Sequence, residues 1–184
     1  MSNRNMNNHN KTKHNMTMTL LTRTSVLLAL ALVFQIGFTQ FAQPVVGPLV
    51  NMTLLIAAVV VGSLPAIVIG CLTPLMAFVL GIMPLLPLVP FIMLGNILLI
   101  ISFNLTRKAF SKYGEVIAVV VAAFLKFAFL AVSIRYLITF FIEKVPPKLI
   151  AAFSLPQLYT ALIGGFLAIV IVKYLSGYLK LNHK

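Results

Sequence analysis

Lys126 stands near the middle of residues 116–142, a stretch that is otherwise almost wholly apolar. An ammonium in hydrocarbon costs at least about 2.5–3.5 kcal/mol, so a cation at such a position turns toward a bundle interior, a water-filled cavity or an anionic partner. The chain has two acids in all, Glu115 and Glu143. They bracket the same stretch, each roughly 15–25 Å from Lys126 at 1.5 Å per helical residue. The counter-charge is therefore expected to arrive as a ligand, which makes the chemistry recognition of a small anionic or strongly polar molecule. Bond-making chemistry finds no support. The histidines, His9, His14 and His183, are confined to the tails, and no Cys/His grouping has metal-ligand spacing. No catalytic residue, metal site or cofactor is expected, and Cys71 reads as a small core residue. No G-x-x-x-x-G-K-[ST] segment occurs, which excludes ATP hydrolysis by the P-loop route.

Several neutral groups converge with Lys126 on one half of the membrane. At 100° per residue Ser133 lies about 20° from Lys126 on the same helix face, nearly two turns nearer the outside. Arg135 falls on the opposite face and is placed to snorkel outward. Asn96 follows Gly95 about 9 Å below an outer boundary near Pro90. Gln157, Thr160 and Gly164 recur at helical spacing beside Tyr159, and Asn51 and Thr53 stand near the outer start of the second span. The candidate substrate-binding residues are thus Lys126, Asn96, Asn51, Gln157, Thr160, Ser133 and Tyr159. For each neutral residue a plainer role stays open, a hydrogen bond to a neighbouring helix worth about 0.6 kcal/mol.

The elements that position these groups follow from composition. Of 184 residues, 61% are hydrophobic and 9% charged, with a mean hydropathy of +1.08; a soluble domain carries roughly a quarter charged residues. The expected class is an all-α integral membrane protein, because continuous apolar runs replace the alternation that barrel strands need. Residues 1–23 read as a mobile basic cytoplasmic tail. The apolar run after it continues past any A-x-A-like site and is long for a signal-peptide core. Residues 24–180 form one domain of six transmembrane helices, expected at 24–39, 49–62, 63–81, 91–106, 115–142 and from 154 onward. Ser63 reads as an N-cap, Pro74 as a kink, and Ser154-x-x-Gln157 as a capping box. Residues 40–48 and 83–90, rich in proline, read as loops. With six spans, ten cations fall on one side against Lys144 and Lys148 on the other, so both termini are expected in the cytoplasm.

The run Val46-Gly47-Pro48-Leu49-Val50-Asn51, followed by Gly62, Gly70, Thr73-Pro74 and Pro90-Phe91-Ile92-Met93-Leu94-Gly95-Asn96, resembles the substrate-binding S components of energy-coupling factor (ECF) vitamin transporters. The resemblance covers roughly residues 20–180. It implies a multi-pass subunit of a bacterial plasma membrane that captures a vitamin from outside. It also implies partners: a transmembrane coupling protein and two ATPases, whose action topples the subunit in the lipid. No nucleic-acid partner is implied. By the same resemblance the 40–48 loop, with Gln40, Gln43 and Gly47, is the lid, and Ser25, Ala29 and Ala31 on the first helix dock the coupling protein. Ser25-x-x-x-Ala29 departs from the family's usual Ala-x-x-x-Ala. Among family ligands pantothenate suits Lys126 best, with cobalamin and pyridoxine-like compounds open. Two readings from other classes stand beside this one. A small self-sufficient carrier or channel would gate through the kinked third helix and the 83–90 loop, and a structural assembly factor would bind no ligand.

Overall fold

The computed structural model describes residues 2–38, 43–83, 85–110, 113–142 and 145–179, with the side chains of 2–15, 43 and 178–179 outside the description. Helices account for almost all of it: α1 (Ser2–Gly37), α2 (Gln43–Val60), α3 (Ser63–Val79), α4 (Leu88–Ala109), α5 (Gly114–Val132), the short α6 (Pro147–Ala152) and α7 (Leu155–Leu179). Past Val132, α5 loosens into a π turn over Ser133–Leu137 and tightens into a 3-10 turn over Ile138–Phe140. No strand occurs among the described residues. Four helical stretches are long and apolar enough to cross a membrane, Met16–Gly37, Leu88–Ala109, Gly114–Phe140 and Pro147–Gly177. Pro44–Val60 and Ser63–Val79 are apolar but shorter.

Helices α2, α3, α4, α5 and α7 pack in a closed ring in that order, α7 returning onto α2, while α1 lies outside against α2 and α3. At one end the ring is plugged by a dry core in which Leu54, Leu55, Leu99 and Ile100 are each 0% exposed. Small residues set the closeness of the helices there. A Cβ on Gly165 would sit 2.5 Å from a Val119 methyl, and a Cβ on Gly164 would collide with the Pro48 carbonyl. At the other end the C-termini of α1 and α3, the N-termini of α2, α4 and α7, and all of α6 gather around an open space.

Four local expectations are corrected. The first helix begins at Ser2 rather than Thr24, because the polar stretch before it contains no proline or glycine to stop a helix. The 40–48 segment is helical from Gln43 onward. Pro44 falls in the first turn, where a missing N–H costs nothing, and the bond that Pro48 cannot make would have gone to Pro44 itself. Gly62, at φ 100°, caps α3 in place of Ser63, whose hydroxyl instead accepts from Asn104 Nδ2 at 2.8 Å. The capping box at α7 is not formed. Ser154 Oγ donates back to Ile150 O at 2.6 Å and accepts from Arg135 Nη2 at 2.8 Å.

Candidate functional site

The space at the open end is a cavity of about 340 Å³, lined from every helix of the bundle. Its floor is polar. Lys126 Nζ, on α5, donates to Asn51 Oδ1 on α2 at 2.6 Å and to Asn96 Oδ1 on α4 at 2.7 Å. All three side chains are buried, Lys126 at 4% exposure. An ammonium has three donors, and two are committed to these amides. Among the described residues no carboxylate is near: Glu115 faces Lys173 at 3.8 Å, about 16 Å along α5 from Lys126 at 1.5 Å per residue. Glu143 lies outside the described residues.

The orientation of Asn96 is set from α3. Pro74 has no N–H, so the carbonyl of Gly70, four residues back, loses its helical donor. Asn96 Nδ2 supplies the replacement at 2.7 Å. Gly70 makes room for it, since a Cβ there would lie 3.1 Å from Asn96 Cβ. With its nitrogen bound to a carbonyl, the amide must turn Oδ1 the other way, onto Lys126. A proline in one helix thus fixes an acceptor on the next.

The sequence-derived candidates divide by place. Lys126, Asn96, Asn51 and Gln157 line the cavity, and Gln157 Nε2 donates to Ala152 O at 3.3 Å. Thr160 is fully buried behind the wall, where its methyl and hydroxyl face Gly47 and its Oγ1 donates to Gln157 O at 3.3 Å. Tyr159 is 39% exposed on the outside of the ring. Ser133 is buried apart from the cavity, in a small apolar space lined by Leu88, Ile134, Ile138 and Phe153. Arg135 is exposed, its guanidinium donating to Ala131 O at 2.9 Å and to Ser154. Of the expected lid, Gln40 and the side chain of Gln43 lie outside the described residues, and Gly47 lines the cavity from within α2. Ser25 and Ala29 are exposed on α1, whereas Ala31 is 0% exposed inside the bundle and cannot meet a partner.

Two polar cavity residues escape the reading from sequence. Gln35, on α1, is buried and donates Nε2 to Thr73 O at 3.0 Å. Its signal is a lone amide in an apolar run, the same signal that marks Asn96. Thr73 is visible only as the neighbour of Pro74.

No curated protein and no solved structure is detectably similar to the chain. The family model described as "ECF transporter, substrate-specific component" matches residues 19–176, most of the chain and every cavity residue. A small-molecule substrate and an ECF module as partner go with that family. With apolar helices long enough to span a bilayer and a polar-floored cavity at one end of the bundle, the chain belongs to the substrate-specific components of ECF transporters.

Proposed function

We propose that the chain is the vitamin-capturing subunit of an ECF importer and that its substrate is a small carboxylate, pantothenate foremost. One observation carries this reading: the buried amine of Lys126 meets the cavity with two neutral partners and one donor to spare. A bound carboxylate supplies the missing acceptor and charge. The cavity volume, near the low end of the range for small-ligand sites, favours a vitamin of pantothenate's size over cobalamin. In this reading the chain crosses the bacterial plasma membrane six times with both termini in the cytoplasm. The cavity mouth faces outward. The basic N-terminal residues stay in the cytoplasm. Ser25 and Ala29 offer the coupling protein a close approach, the two ATPases supply the energy for toppling, and the chain itself catalyses nothing.

Mass spectrometry of ligand extracted from the purified chain, followed by isothermal titration, tests the assignment. The wild type should bind pantothenate and prefer it to the alcohol that replaces its carboxylate. A charge-assisted hydrogen bond contributes about 1.5–3 kcal/mol, so Lys126→Met should weaken pantothenate binding roughly ten- to a hundredfold and abolish the preference. A mutant that still distinguishes acid from alcohol removes Lys126 from the role of carboxylate partner.

A further inference from the structure

Three buried side-chain atoms have no partner among the described residues: Gln35 Oε1, Asn104 Oδ1 and Ser133 Oγ. Their surroundings differ. Ser133 borders an apolar space with no room for a water-sized group. Asn104 lies in the α4 half remote from the cavity, its nitrogen on Ser63 Oγ. Gln35 lines the cavity, at 9% exposure.

The orientation of the Gln35 amide is fixed by its neighbour. Thr73 O can only accept, so the nitrogen must face it and the oxygen must face away. The free end of Gln35 is therefore an acceptor, whereas the free valence of the Lys126 amine is a donor. Helix α3 steadies both sides of this arrangement. Asn96, which holds Lys126, is seated on Gly70 O, and Gln35 is seated on Thr73 O. Those carbonyls are three residues apart, about 4.5 Å along the helix axis at 1.5 Å per residue. The residues lining the cavity thus include a donor with a free valence, Lys126, and a buried acceptor with no partner among the described residues, Gln35 Oε1.

We propose that Gln35 is a specificity-determining residue whose Oε1 accepts a hydrogen bond from a hydroxyl or N–H of the substrate. The cavity then selects an anion that also carries a neutral hydrogen-bond donor, and discriminates against plain carboxylates. The proposal rests on the reading of this cavity as the substrate site. It adds a second point of recognition, contributed by the helix outside the ring.

The test uses the full chain in detergent with three probes: pantothenate, its dideoxy analogue lacking both hydroxyls, and its N-methyl amide lacking the N–H. On the wild type, the analogue missing the recognised donor should bind about three- to tenfold more weakly than pantothenate. Gln35→Met should weaken pantothenate by a similar factor and bind that analogue no worse than the wild type does. Preference for acid over alcohol, which belongs to Lys126, should survive in Gln35→Met. If Gln35→Met weakens pantothenate and both analogues equally, or changes none of them, Gln35 only braces α1 against α3 and the proposal falls while the Lys126 reading stands. If the wild type binds none of the three probes, the carboxylate reading of the cavity falls and takes this proposal with it.

Discussion

Removing Lys126 and removing its partners should have opposite consequences for the fold. Lys126→Met deletes the cation together with its demand for partners, and it leaves two amides at the edge of a polar cavity that water can enter. Asn96→Leu takes from the Lys126 amine one of its two acceptors, leaving Asn51, and from the Gly70 carbonyl, which Pro74 deprives of its helical donor, the closer of two side-chain donors, leaving Thr73 Oγ1 at 3.5 Å. Each buried group left unsatisfied costs about 1–3 kcal/mol, and a charged one more. Asn96→Leu is therefore expected to destabilise the chain by about 1–3 kcal/mol in detergent unfolding, with Lys126→Met close to the wild type. Equal losses would mean that the Asn96 seat on α3 contributes little. The legibility of this cluster from sequence has a physical basis. Lys126, Asn51 and Asn96 are visible because polar side chains in hydrocarbon are expensive and must converge. Ser133 and Tyr159 cannot be placed as well, since helical phase gives a direction but not how far up the bundle the cavity extends, and Leu88 with Phe153 decides that.

At the scale of elements, the α2–α7 contact governs the site, because it carries Asn51 and stands on Gly164. A Cβ at Gly164 would press on the Pro48 carbonyl and on Asn51 Cβ, neither of which is a flexible chain end. Gly164→Val should part α7 from α2, cost about 1–3 kcal/mol of stability, and weaken ligand binding by displacing Asn51 from Lys126. Gly177, on the same helix with open space for 4 Å around the place a Cβ would take, is the control. Gly177→Ala should alter stability by no more than about 1 kcal/mol and leave binding unchanged. If Gly164→Val binds normally, the close approach is not what seats Asn51. Helix boundaries are the least legible part of the sequence for a related reason. Proline at residues 44 and 48 reads as a stop, yet Pro44 withholds a donor that the first turn does not use, and Pro48 costs the helix one bond, to the Pro44 carbonyl.

At the scale of the whole molecule, the proposed topology follows from charge. With six spans the sequence allots ten cations to the side of Lys108 and Lys173 and two to the side of Pro146, which should hold the first side in the cytoplasm. In a chain with Cys71 replaced by Ala, a cysteine at Pro146 should react in whole cells with an impermeant maleimide, and one at Lys108 should not. The reverse pattern would invert the cavity and remove the route by which an external solute reaches it. The ring of five helices also closes without α1, which packs mainly along α2 and α3 and yet delivers Gln35 to the cavity. Joined to the rest at a single point, α1 is in effect a detachable part. Cut between α1 and α2, the two pieces would insert separately and find each other laterally in the bilayer. The five-helix receptor would then bind its solute at full strength only when the sixth helix is supplied in trans, and occupancy of the cavity would report directly on their reassembly.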